Sequence, residues 1–320
     1  MILSTGWRTD IPAFYSDWFF NRVKAGYVME RNIANPNTFY KISLSPKNVE
    51  ILTFCSKDYK KFIPKIDIVE KKYRCFYWYT ITPYEDDVEL YVPSLDERIN
   101  TFIELSKIVS KKRIVWRYDP ILFTDKYTKE YHFEKFRYIA EKLAPYTERC
   151  VFSFVHAYAK TMANMPELVE PIDTTKVEMC RYMLDICNEL GLKLQTCGMG
   201  ARWNLPGILK SACMNAPMLE EAFNIRLLPM LSPGQRDGCG CLPQKVIGNY
   251  LTCLHGCRYC YATKSYDEAL INSRYHNPKS PLFIGEMPQE GEDYTVEEYK
   301  RAQVIDYTYD PNQLTMFEDA

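Results

Sequence analysis

The sequence predicts an α/β fold: a partial β/α barrel of TIM type with a cysteine-rich C-terminal cap and an extended tail. Two observations predict it. Short apolar runs alternate with helical patterns as far as residue 197, and polar or charged residues follow each run at once. Alternation of this kind builds a parallel sheet, whose strands open on one face at their carboxyl ends. Six runs read as strands: "ILS" (2–4), "VEILTFC" (49–55), "CFYWYTIT" (75–82), "IVWRY" (114–118), "CVFSFV" (150–155) and "LKLQTC" (192–197). Between them, residues 12–26, 94–112, 128–146 and 173–191 place apolar side chains at three- and four-residue steps, which is helical spacing. The last of these stops at Gly191 after a leucine, as a helix C-terminus does. Residues 1–197 are thus the barrel core. Residues 198–275, rich in Gly, Pro and Cys, form a region packed on the barrel mouth, and residues 276–320 an acidic tail.

Composition bounds the function. The chain has 320 residues with 47% hydrophobic content, ample for a large core. A net charge of -1 supplies no global field for nucleic acid, so a polyanion site would have to be a local patch. Arg8 and Asp10 interrupt the N-terminus before a signal-type apolar run can form, and no run reaches the roughly 18 apolar residues of a membrane span. A cytoplasmic protein without a membrane partner is expected. In a reducing cytosol the twelve cysteines do not read as disulfide staples, and those that cluster point to metal. Cys55, Cys75, Cys150, Cys180 and Cys187 stand singly in apolar or helical patterns and read as small buried hydrophobes.

Residues just after the strands are the candidate catalytic groups: Arg8 and Asp10, Lys57, and Arg117 with Asp119. Drawn from separate strand ends, they would converge on one mouth. The plainer alternative is an ion network at the rim.

"NYLTCLHGCRYCYA" (249–262) carries Cys253, Cys257 and Cys260 as CxxxCxxC on a loop turned by Gly256. Soft thiolates suit iron–sulfur clusters or zinc. Three of them can hold three irons of a 4Fe-4S cube and leave the fourth open, whereas a structural zinc usually takes two separated ligand pairs. Four further cysteines, Cys197, Cys213 and the CxC of Cys239 and Cys241, would complete an S4 set for a second cluster or for zinc. Packing thiols with only the CxC active is the alternative.

The CxxxCxxC with an aromatic before its last cysteine resembles the cluster loop of radical SAM enzymes. That resemblance implies a radical SAM-like barrel, a 4Fe-4S cluster on Cys253, Cys257 and Cys260, S-adenosylmethionine on the open iron, and Tyr259 near its adenine. It implies Arg8 or Arg117 as the clamp for the methionine carboxylate, and a flavodoxin or ferredoxin as electron donor. "RTDIPAFY", "WRYDPILFTDKYT", "GQRDGCGC" and "IGNYLTCLHGCRYCYA" resemble the bacterial DUF1848 family over residues 4–264, a family without assigned substrate. The loop here follows the sixth strand, where radical SAM enzymes place it after the first, and no Gly-Gly-Glu follows a strand.

"QLTMF", with Gln313, Leu314, Met316 and Phe317, resembles the peptide by which bacterial repair and replication proteins dock on the β sliding clamp. It implies DNA as the substrate and a radical repair or modification as the reaction. Residues 56–79 interleave Lys and Arg with aromatics, a pattern able to meet phosphate and stack on bases, or else a solvated helix followed by a buried strand.

Overall fold

A computed structural model describes residues 1–309 apart from 157, 201, 202, 204, 211, 231–238 and 290. The fold is α/β. Its principal sheet has seven strands among the described residues, all neighbours parallel: β1 (Ile2–Thr5), β4 (Ile51–Ser56), β5 (Arg74–Thr80), β6 (Ile114–Ile121), β7 (Arg149–Phe154), β8 (Lys193–Thr196) and β9 (Lys245–Ile247). Their spatial order is β8-β7-β6-β5-β4-β1-β9. All six strands expected from the apolar runs are present.

The runs are continuous because both faces of the sheet are covered, the usual state of parallel strands. Alternate residues still go to opposite sides. In β5, Cys75, Tyr77 and Tyr79 join the larger core. The helices that supply this core are α2 (Ser16–Ala25), α4 (Leu95–Ile108), α5 (Lys129–Leu143) and α7 (Asp173–Glu189). Phe76 and Trp78 face the other way, with Ile2, Ile51, Val115 and Val151, into a second core closed by Cys213, Met214, Met218, Leu219, Cys241, Leu242, Val304 and Ile305. Each large side chain so buried contributes about 1.5–3 kcal/mol.

The helix boundaries follow from capping. Ser94 and Glu97 form a reciprocal capping box at the start of α4. The Thr128 hydroxyl accepts from Tyr131 N at the start of α5. Past the end of α7, Gly191 takes a φ of +72°, as expected from the sequence.

Several elements lie outside the expected set. β2 (Tyr27–Arg31) and β3 (Thr38–Ser43) form an antiparallel hairpin, and β10 (Thr295–Glu298) adds to β3 in parallel. β10 is fully exposed and so has no apolar alternation to betray it. The segment read as an acidic tail therefore supplies an edge strand and then two buried residues. β9 is three residues long inside a Gly- and Pro-rich stretch. Four-residue α1 (Ile11–Phe14) and eight-residue α8 (Ala216–Phe223) complete the parts that position the site. No helix among the described residues is long and apolar enough to cross a membrane. The peptide Gln313–Phe317 lies outside the described residues.

Candidate functional site

The cysteine loop leaves β9 at the carboxyl end of the sheet. Left-handed backbone at Gly248 (φ +100°), Leu251 (φ +59°) and Gly256 (φ +67°) turns it. Leu251 N donates to Ala262 O at 3.0 Å across its base, and Cys260 N to Cys257 O at 3.1 Å within it. The rest of the protein grips the loop from outside. Tyr91 N donates to His255 O at 3.0 Å, Arg258 N to Val88 O at 3.0 Å, and Glu89 and Cys257 form an antiparallel bridge. The Arg258 guanidinium donates to Asn164 O, Asp87 O and Glu167. A side chain at Gly256 would lie 2.9 Å from the Tyr91 ring and 3.2 Å from Leu90 Cβ, so this turn accepts only glycine.

Cys253, Cys257 and Cys260 are half-buried on the loop. Burial pushes the Cys253 thiol well up, and the charges of Asp10, Cys260 and Cys257 push the same way. Burial also raises Cys257, opposed by the Lys57 ammonium. The three sulfurs thus lie within electrostatic reach of one another. Among the described residues, no three metal-ligating side chains are closed on a single point.

Two polar groups support the loop. The Asp10 carboxylate, at the start of α1, accepts from Ala13 N (3.0 Å), Ser56 Oγ (2.7 Å), Lys57 N (2.9 Å) and His255 Nε2 (2.8 Å). His255 Nε2 meets Asp10, and His255 Nδ1 is buried with no partner among the described residues. The second group centres on Glu89. Its carboxylate accepts from Lys57 Nζ (2.7 Å), Thr82 Oγ1 (2.6 Å), Arg98 (3.3 Å) and the Tyr259 hydroxyl. Burial works to raise its pKa, but Lys57 and Arg98 outweigh burial and hold it below the usual glutamate range.

Arg8 and Arg117 lie in different surroundings. Arg8 donates to Glu30 at 2.6 Å and to Gly248 O at 3.3 Å, and sits over the Tyr250 ring. Buried Arg117 pairs with Asp119, which also accepts from Ser153, and lies 5.2 Å from the Trp7 ring centroid. Its remaining N–H groups face sulfur: Cys213 Sγ at 3.6 Å and Cys197 Sγ at 3.8 Å. Cys213 and Cys241 are in contact at 3.5 Å, and Cys241 also touches Cys239. Cys55 on β4 lies within electrostatic reach of Arg117, Asp10 and Asp119.

The strand-end residues expected to converge do so in two sets: Asp10 with Lys57, and Arg117 with Asp119. Arg8 joins neither and binds Glu30 with Lys245 at the β9 edge. His255 and Glu89 were not anticipated. His255 was legible, since it stands between two of the motif cysteines; Glu89 lies outside any periodic segment and gives no such signal. In the Lys-rich stretch 56–79, Tyr59, Phe62, Phe76, Tyr77, Trp78 and Tyr79 are all fully buried, which removes them as platforms for bases.

A family model described as a domain of unknown function (DUF1848) matches residues 2–262. No curated protein and no solved structure matches the chain.

Proposed function

The chain belongs to the DUF1848 family, and from that premise we propose that it is an iron–sulfur enzyme of the radical SAM kind, with its seven strands forming a partial barrel. The observation that carries the proposal is the position of the cysteine loop. It follows β9, and β9 pairs in parallel with β1 at the edge of the sheet. The loop comes late in the chain yet stands beyond the first strand in space, which is where a radical SAM barrel carries it. Active-site geometry outlives changes of chain order, as catalytic triads illustrate.

The donor set fits the group. Three soft sulfurs share one loop, the turn between them admits no side chain, and His255 Nδ1 is a buried polar atom with no partner among the described residues. Cys253, Cys257 and Cys260 would hold a 4Fe-4S cluster. Such a cluster would supply the electron for reductive cleavage of bound S-adenosylmethionine.

The chain's own residues bind and orient. Asp10 fixes the ring of His255, leaving Nδ1 to hydrogen-bond a bound ligand. Glu89 holds Lys57 and Tyr259 together beneath the loop, and Tyr84 packs edge-on to Tyr259. Arg8 is the better placed carboxylate clamp, because its side chain keeps 27% exposure and would exchange the Glu30 carboxylate for the ligand's, whereas Arg117 is committed to Asp119 and two sulfurs. DNA as substrate rests on the "QLTMF" peptide alone, now that the aromatics of residues 56–79 are in the core.

The deciding experiment is iron and sulfide analysis with EPR of anaerobic, dithionite-reduced protein, recorded with and without S-adenosylmethionine. About four irons per chain, a signal that shifts on adding S-adenosylmethionine, and 5'-deoxyadenosine in the products are expected. Cys257→Ser should abolish all three. A cluster indifferent to S-adenosylmethionine would make this a redox or structural iron–sulfur protein, and a protein without iron would end the proposal.

A further inference from the structure

The cysteines of the cap lie on segments remote in sequence. Cys197 follows β8 at one edge of the sheet, Cys213 precedes α8, and Cys239 and Cys241 precede β9 at the other edge. Cys197, Cys213 and Cys241 are buried beneath the cap. The sulfurs run as a chain of contacts, Cys197 to Cys213 to Cys241 to Cys239. Met214 N donates to Cys241 Sγ at 3.4 Å, and Arg117 donates to Cys213 and Cys197.

We infer that Cys197, Cys213, Cys239 and Cys241 are the ligands of a single zinc ion, a second metal site distinct from the 253–260 loop. Four thiols are the full set of a closed structural zinc centre. The one sulfur–sulfur distance favours zinc over a second cube. With zinc–sulfur bonds near 2.3 Å, sulfurs of a tetrahedral site lie about 3.8 Å apart. Cys213 and Cys241 stand at 3.5 Å. A 4Fe-4S cube carries its thiolates on four separate irons and would have to push these two sulfurs apart, whereas zinc keeps them close to their present spacing. Because the sulfurs touch in sequence around no common point, binding would draw a chain of contacts into a tetrahedron.

The surroundings suit a site carrying excess negative charge. Four thiolates on a divalent ion leave a charge of minus two, and the Arg117 guanidinium is buried against two of the four sulfurs. Donors to ligand sulfur of this kind stabilise and orient a thiolate site. The site also answers a mechanical need. Residues 198–244 contain α8 as their single helix among the described residues, yet they cover the inner face of the sheet. A zinc ion there would tie the exit of β8 to the entry of β9.

The test is metal analysis of the purified full-length protein, with zinc and iron measured together. About one zinc per chain is expected, falling at least tenfold in Cys213→Ser and in Cys241→Ser while iron is unchanged. Cys257→Ser should lose iron and keep zinc, and Cys180→Ala, which alters a thiol on α7, should keep both. Should the serine variants not fold, titration of the native protein with a mercurial, read by a zinc-sensitive dye, must release that zinc as about four thiols react. The inference is overturned if the wild-type protein contains no zinc, if Cys213→Ser and Cys241→Ser retain it, or if Cys257→Ser is the variant that loses it. Zinc behaving as expected in a protein without iron would uphold this site and defeat the radical SAM reading.

Discussion

Glu89 shows how a single residue governs the region around the cysteine loop. Its carboxylate is wholly buried between Lys57 and Arg98, with Thr82 and Tyr259 filling its other lone pairs. Glu89→Gln would leave two cations facing a neutral amide, a change that typically costs about 3–5 kcal/mol. Urea denaturation of the variant should show that loss in its midpoint. The pH dependence has a definite sign. The folded pKa of Glu89 lies below its unfolded value of about 4.3, so its stabilising contribution is present above that pH and is lost as pH falls through the folded value. Stability of the wild-type protein should therefore decline with acid below about pH 4.3, and Glu89→Gln should flatten that decline. Sequence reading found Lys57, which follows a strand, and missed its partner. Strand ends are marked by periodicity, whereas Glu89 reaches its place through an irregular segment that only the folded chain brings to Cys257.

At the scale of elements, the six long strands and four long helices were legible because burial on both sheet faces writes continuous apolar runs and helices write three- and four-residue steps. β2, β3, β9 and β10 were not. β2 and β3 are only partly buried and pair outside the main sheet, β9 is three residues long, and β10 points all its side chains at solvent. Missing β9 hid the main fact about the cysteine loop, that it adjoins β1. The loop itself depends on a left-handed turn. Gly256→Ala pays about 1–2 kcal/mol in backbone strain and also drives a methyl group toward Tyr91. Such a variant should retain less iron after gel filtration than the wild type, with α-helical circular dichroism unchanged. A similar constraint acts at Gly6, where an added Cβ would lie 2.0 Å from Cys55 O, so β1 and β4 are held at a distance no other residue permits.

The whole molecule is held by two cores on opposite sides of one sheet, and the smaller relies on segments that return late in the chain. Val304 and Ile305 bury their side chains in it, and their backbone N–H groups donate to the buried Glu50 carboxylate at 2.9 and 3.2 Å. Ile305→Ala should destabilise the protein by about 2–4 kcal/mol, measured as a lower denaturant midpoint, by opening a cavity against the inner face. The placement of β9 bears on biosynthesis as well. β1 is made first, finds β4 within some fifty residues, and then keeps its other edge unpaired until residues 245–247 emerge. An unpaired strand edge is a template for wrong partners, and chains fold from the N-terminus while they are being made. The strand that closes that edge is also the one that delivers the thiols, so a nascent chain without its cysteine loop is also a chain with an open seam.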